Sequence, residues 1–204
     1  MDEAMKQHWE KVYATKTPEE VSWTQAKPET SLRFIHSFNV QKDAAIIDIG
    51  GGDSKLVDFL LEEGYSNITV LDISEQAVIR AQKRLGEHAG KVKWIVSDIV
   101  DFVPDTTYDI WHDRAAFHFM NTDEMVARYI QNMKQAVKNG YAVIGTFSEQ
   151  GPKKCSGIEI RQYNQQRLST ILQPEFSNIA CVIEDHTTPF QTQQNFLFCS
   201  FKRG

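Results

Sequence analysis

The stretch from Ala44 to Leu60, AAIIDIGGGDSKLVDFL, constrains the fold more than any other part of the chain. An apolar, β-branched run carries one carboxylate, Asp48, and stops at three consecutive glycines, Gly50, Gly51 and Gly52, before a helix-like pattern begins. Without Cβ atoms, a strand-to-helix turn can take positive φ, and a ligand can touch its backbone under the amides of the following helix. Taken alone, the turn is equally consistent with close packing and no ligand.

The surrounding pattern favours a sheet. Strand-like runs recur at 44–49, 67–73, 92–99, 108–113 and 141–147, short and rich in β-branched and aromatic residues. Helical patterns fill the gaps. The first spans 55–63, with Leu56, Val57, Phe59 and Leu60, and the second follows Ser74 as N-cap. A third begins after Asn121, which has capping-box spacing to Glu124, and carries the stripe Val126, Tyr129, Ile130, Met133 and Val137. Strand-helix alternation with short connections implies a parallel sheet with helices on both faces. In the last third, 161–172 reads as a helix and 178–190 and 194–203 as two antiparallel strands. Met5, Trp9, Val12 and Tyr13 form one amphipathic face before the first strand, and Leu32, Ile35 and Phe38 another.

At 204 residues, 41% of them hydrophobic and 24% charged, the chain is sized for one folded globular domain. A net charge of -5 argues against nucleic acid as a partner. No run approaches the roughly 18 apolar residues of a membrane span, and the amino end has acids where a leader has apolar residues, so no membrane partner and a cytoplasmic location are expected. Cys155, Cys181 and Cys199 lie far apart without a CxxC pair, which favours reduced thiols, and the six histidines form no ligand-spaced cluster with them, so no metal is expected.

Asp72 ends the second strand run, 20 residues (72 minus 52) beyond Gly52, the distance at which a carboxylate reaches ribose hydroxyls. A dinucleotide fingerprint needs a third glycine where Lys55 stands, and no GK[ST] triplet exists for a phosphate loop. These residues resemble the class I S-adenosylmethionine-dependent methyltransferases, whose first motif runs acid-x-G-x-G-x-G. Asp48, Gly50 and Gly52 match it, with Ser54 in place of the last glycine, and the resemblance runs from about Ile46 to Phe147.

The resemblance implies an α/β, Rossmann-like doubly wound, mostly parallel seven-stranded sheet with an antiparallel carboxy-terminal strand pair. It implies one domain over 1–204, with 1–42 a helical lid or addition and 43–204 the core. S-adenosyl-L-methionine is the implied cofactor: Gly50, Gly51 and Gly52 lie against its methionine part, with Asp48 supporting the loop. Asp72, followed by Ile73, holds the ribose diol, Asp98 accepts from the adenine amino group, and Ile99 packs on the ring. Trp23 closes over the methionine end or the acceptor.

For the acceptor, YDIWHDRAAFHFM from Tyr108 to Met120 concentrates the chemistry. His112 has the pKa range of a general base, and Arg114 favours a thiolate by charge. Asp113 completes the expected catalytic group, with Phe117 and His118 on the substrate side. An ion pair between Asp113 and Arg114 that only fixes a loop is the structural alternative. Cys155 and His186 are expected near the substrate side, in structural roles.

The DRA turn, Arg128-Tyr129 and Gly151-Pro152 resemble the thiopurine and tellurite methyltransferase branch, whereas HWEKVYATKTPEEVSW resembles the opening of protein-lysine methyltransferases. HDRAAFHF, KKCSGIEI and EDHTTPF are similar to segments of a group of bacterial methyltransferase-like proteins. The expected function is methyl transfer to a small-molecule acceptor through sulfur, selenium, tellurium or nitrogen. A protein-lysine substrate is the nearest alternative, and a non-catalytic nucleotide-binding scaffold is the alternative from another class. Oligomeric state is left open.

Overall fold

The computed structural model describes residues 3–204; Met1 and Asp2, which open the acidic amino end, lie outside them. Helix α1 (Glu3–Thr15) and helix α2 (Glu29–Ser37) precede the first strand, β1 (Ala45–Ile49). Then come α3 (Leu56–Glu62), β2 (Asn67–Asp72), α4 (Glu75–Leu85), β3 (Val92–Val96), β4 (Ile110–Arg114), α5 (Asp123–Ala136) and β5 (Tyr141–Phe147). A short ribbon of β6 (Lys154–Cys155) and β7 (Ile158–Glu159), helix α6 (Gln165–Leu172), and long strands β8 (Phe176–Thr187) and β9 (Gln193–Arg203) complete the chain.

The main sheet has the order β3-β2-β1-β4-β5-β9-β8, parallel through β5, with β9 antiparallel to both β5 and β8. Four consecutive residues of β1, Ile46 to Ile49, are buried, so both faces of its pleat are covered, as a parallel sheet between helices requires. The expected sheet, helices and antiparallel end are present. Strand order reverses at β1, the place where open α/β sheets bind ligands.

Several local expectations are corrected. The third strand ends at Val96, just before a turn that Asp101 N closes on the Asp98 carbonyl (3.1 Å), and the fourth starts only at Ile110 and runs on to Arg114. Helix α5 is capped by Thr122, whose Oγ1 accepts from Met125 N (3.1 Å), rather than by Asn121; Asn121 instead donates to the Glu159 carbonyl. The ribbon β6-β7 is absent from the sequence reading; Ser156 and Gly157, both at positive φ, make its two-residue turn.

Cys181 and Cys199 form a disulfide, against the expectation of reduced thiols. They are direct partners in the β8-β9 register, an adjacency that their 18-residue separation does not reveal. Cys155 is a free, buried cysteine.

Helix α1 is fastened to α4 at two points, with Arg80 of α4 donating to the Tyr13 (3.2 Å) and Lys16 (2.8 Å) carbonyls and a carboxylate of α1 capping the start of α4. Glu10 Oε1 accepts from Glu75 N (2.8 Å), and its Oε2 accepts from Gln76 N (3.0 Å) and Ser74 Oγ (2.9 Å), so a residue of α1 caps the N-terminus of α4. Ser74 Oγ in turn accepts from Ala77 N, the expected cap. Glu10→Ala is expected to cost about 1 kcal/mol, in the range of a lost N-cap, as read by chemical denaturation. The same variant should expose Trp9, now 9% exposed, more readily to a fluorescence quencher.

Candidate active site

A cavity opens at the carboxyl ends of β1 to β4. Its floor is the glycine turn. Gly50 and Gly52 have positive φ (63° and 34°), and a Cβ on Gly50 would lie 2.7 Å from the Ala116 Cβ. A Cβ on Gly51 or Gly52 would lie 2.6 Å from a carboxylate oxygen, of Asp48 or Asp72 respectively. The three glycines are therefore required where two buried acids and the turn after β4 crowd the backbone. Beyond the turn, Arg84 binds Asp58 (2.9 Å) and Asp53 and donates to the Ser54 carbonyl (2.8 Å), which ties the loop to α3 and α4.

Asp48 is 2% exposed. Its Oδ1 is 2.6 Å from His112 Nδ1 on the adjacent strand, and His112 Nε2 is 2.8 Å from Ser31 Oγ on α2. Asp48 Oδ2 is buried with no partner among the described residues and belongs to a residue that lines the cavity. Asp72, also buried, accepts from Ser74 N through Oδ1 (2.8 Å), and burial pushes its pKa up to about 7. Asp98 is buried in the turn after β3 and accepts from Val100 N. Neighbouring Ile73 and Ile99 line the same wall, where Asn132 of α5 donates to the Ile99 carbonyl (2.7 Å). The predicted cofactor-side residues other than Trp23 are thus gathered at the ends of three adjacent strands, all on the cavity wall except Gly52, which lies directly behind it against Asp72; Trp23 lines the cavity from the loop before α2.

The predicted catalytic and substrate residues separate. Successive residues of β4 point to opposite faces, so Asp113 and Arg114 do not pair. Asp113 is fully buried away from the cavity: Oδ2 accepts from Tyr129 OH (2.7 Å), and Oδ1 accepts from Ala116 N and Phe117 N. Burial raises its pKa to about 6. It holds the turn in which Ala115 takes φ 70°, a conformation that costs a non-glycine residue about 1 kcal/mol or more.

His112 lines the cavity, but both ring nitrogens are engaged, so its position is that of a brace for Asp48 rather than of a free base. Phe117 and His118 do not line the cavity. The 3-10 turn after β4 sends Phe117 against Tyr129 and Tyr163 and stacks His118 on Phe147, where burial lowers the His118 pKa to about 3 and keeps the ring neutral. Phe119 and Met120, one step further along, face the cavity in their place.

Arg114 faces the cavity. Its Nη1 donates to the Trp23 carbonyl (2.8 Å), its guanidinium lies 4.8 Å from the Phe196 ring centroid, and burial lowers its pKa to about 10. Cys155 lies on the same wall, its thiol pushed up to about 12 by burial. His186 donates from Nε2 to the Ser22 carbonyl (2.7 Å) and does not line the cavity.

The sequence pointed to Trp23 at the site and to a lid over 1–42, but not to the part that Trp9 and Tyr13 play in it. Trp23 packs edge-on against Trp9 and Tyr13, which are tilted to each other, with ring centroids 5.4 to 6.4 Å apart; all three line the cavity, with Phe119 5.3 Å from Trp9. The spacing of Trp9 and Tyr13 identified an apolar helix face without saying that it covers a cleft. Among the described residues, no group of His, Cys, Asp and Glu is arranged to hold a metal ion, and no helix is long and apolar enough to cross a membrane.

His112→Ala leaves both Asp48 oxygens buried without partners, so a loss of about 3 kcal/mol of stability is expected in urea denaturation. Asp72 and Asp113 should each make stability fall as pH rises from about 4 to about 7. Their folded pKa values lie above their unfolded ones, so at these two sites the native state binds more protons in that window, while buried His118, whose folded pKa lies below its unfolded one, contributes an opposing slope. Asp72→Asn should flatten its share of this slope in denaturation curves taken at pH 5 and pH 8.

Residues 46–140 match the family model described as a methyltransferase domain. EEF1A lysine methyltransferase 2 of Danio rerio is 26% identical over 123 residues, 55% of this chain and 52% of its own length. The chain spans only about a fifth to just over half of the curated relatives it matches. Among solved structures, a protein described under the conversion of a disulfide bond into a thioacetal group during echinomycin biosynthesis aligns with TM-score 0.78 and 17% identity, covering 98% of this chain and 93% of its own. N-methyltransferase NodS of Bradyrhizobium japonicum in complex with S-adenosyl-L-homocysteine aligns with TM-score 0.69 and 16% identity, covering 97% of each chain. The chain thus carries a segment, residues 46–140, that matches a methyltransferase domain, on a fold shared with solved S-adenosylmethionine-dependent methyltransferases.

Proposed function

We propose that the protein transfers a methyl group from S-adenosyl-L-methionine to a small nucleophile through sulfur, selenium, tellurium or nitrogen. One observation carries this reading: three buried acids, Asp48, Asp72 and Asp98, stand at the ends of adjacent parallel strands around a bare glycine turn. Such a row suits three donors in line, an ammonium, a vicinal diol and an exocyclic amine. The partnerless Oδ2 of Asp48 fits the first of them. When bound, the cofactor supplies a methyl group on a sulfonium, open to displacement by a lone pair.

In this reading Gly50, Gly51 and Gly52 seat the methionine end and Asp48 accepts from its ammonium. Asp72, beside Ile73, takes the ribose hydroxyls, Asp98 the adenine amino group, and Ile99 the ring face. Residues 1–42 serve as the lid of a single domain, with Trp9, Tyr13 and Trp23 excluding water. Displacement at a methyl carbon depends on alignment and dryness more than on proton transfer. His112 therefore works through Asp48, and Asp113 works through the turn it holds, while Arg114 presents charge to the acceptor. A guanidinium on that wall repels a lysine ammonium, which favours a small nucleophile over the protein-lysine substrate suggested by the name of the Danio rerio relative.

Asp72→Ala should weaken S-adenosylhomocysteine binding by about 1 to 3 kcal/mol in calorimetry, through loss of a charge-assisted hydrogen bond. In the wild type, affinity should rise with pH through about 7, as the ionised carboxylate becomes the populated acceptor. Incubation with radiolabelled S-adenosylmethionine, thiols, amines and cell extract tests the acceptor. Label in small molecules is expected; label confined to a protein band would favour the lysine reading, and absence of binding by either sulfur cofactor would remove both.

A further inference from the structure

The Arg114 side chain is held in place yet chemically incomplete. Its Nη1 is taken by the Trp23 carbonyl, and the Phe196 ring beside the guanidinium fixes its plane. Nε and Nη2, the two donors that share one edge of the guanidinium, are buried and have no partner among the described residues. Of the surrounding groups, Glu184 accepts from Gln25 through Oε1 (3.1 Å), His186 donates to Ser22, and Asp48 is bound to His112 through Oδ1, its Oδ2 making no hydrogen bond to this edge. The free edge presents two parallel N–H bonds, the geometry that receives a carboxylate in bidentate fashion. Buried donors of a charged group left unpaired are costly, which makes a complementary anion the natural occupant.

The position of this edge points to the acceptor. Arg114 ends β4, whereas Asp72 ends β2 and Asp98 follows β3 on the other side of β1. The Phe196 ring under Arg114 belongs to β9, further still from the adenosine end of the cleft.

We propose that the free Nε and Nη2 edge of Arg114 is an anion seat, and that the methyl acceptor carries a carboxylate or similar planar oxyanion that occupies it. The inference rests on the proposed methyl-transfer reading, which puts the cofactor at the opposite end of the cleft. One other carboxylate shares the chemistry, that of the cofactor's own methionine, and the test separates the two.

Calorimetry on the full chain saturated with S-adenosylhomocysteine, at constant ionic strength, would compare acetate and benzoate with acetamide and benzamide. The carboxylates are expected to bind at least tenfold tighter than the amides. Arg114→Met should abolish that preference while S-adenosylhomocysteine affinity changes less than twofold. Arg114→Lys, which keeps the charge but not the fork, should restore only part of it and serves if the methionine variant unfolds. Equal binding of carboxylates and amides to the wild type, or a preference that survives in Arg114→Met, overturns the proposal. So does a tenfold loss of S-adenosylhomocysteine affinity in Arg114→Met with 5′-methylthioadenosine, which lacks the carboxylate, unaffected: the seat then belongs to the cofactor. If S-adenosylhomocysteine does not bind the wild type, the methyl-transfer reading fails separately, and the same comparison without it still decides the Arg114 edge.

Discussion

The geometry of the cleft depends on one buried hydrogen bond, between Asp48 at the end of the central strand and His112 on the strand beside it. A carboxylate at 2% exposure persists only when its oxygens are occupied or aimed at a donor. His112 occupies one oxygen and is itself anchored by Ser31, so α2 is joined to the sheet through the same three residues. The other oxygen presses on Gly51 and fills the space that a side chain there would need. The bare turn follows from the acid beneath it as much as from any ligand above it.

A second buried carboxylate shapes the opposite wall. Asp113 gathers Tyr129 and two backbone amides, and Trp111 donates to the same Tyr129 hydroxyl. This network over-determines the turn after β4, which is why Ala115 can sit at positive φ and Ala116 can press against Gly50. Adjacent residues of one strand thus divide the labour: His112 and Asp113 build the walls from within, and Arg114 is left to meet what enters.

Much of this was readable from the residues. Sequence pattern located all five parallel strands, because the buried inner strands leave continuous apolar runs and even the part-exposed β3 keeps Val92, Trp94, Ile95 and Val96 together. The spacing from Gly52 to Asp72 and the acid after the third strand led to carboxylates that do gather on one cavity wall, since each lies at the end of a strand whose position is fixed by pattern. The stretch at the end of the fourth strand was harder to read. In HDRAAFHF every polar residue has chemistry to offer, and only the pleat and the 3-10 turn decide that Asp113 and His118 face inward while Arg114 and Phe119 face the cavity. The disulfide escaped for a similar reason, because strand register rather than sequence spacing sets Cys181 against Cys199.

The two ends of the cleft also differ in how the chain supplies them. Asp48, the glycines, Asp72 and Asp98 fall within about fifty consecutive residues and are joined by parallel neighbours formed one after another. The wall around Arg114 draws on Trp23, Cys155 and Phe196, and Phe196 lies on a strand within the last dozen residues of the sequence. Contacts of such long sequence separation are entropically slow to close. During synthesis, the end of the cleft at Asp72 and Asp98 can therefore take shape while the end at Arg114 still awaits β9. Changes near the carboxyl terminus can accordingly remodel the wall around Arg114 without disturbing the acids at the other end.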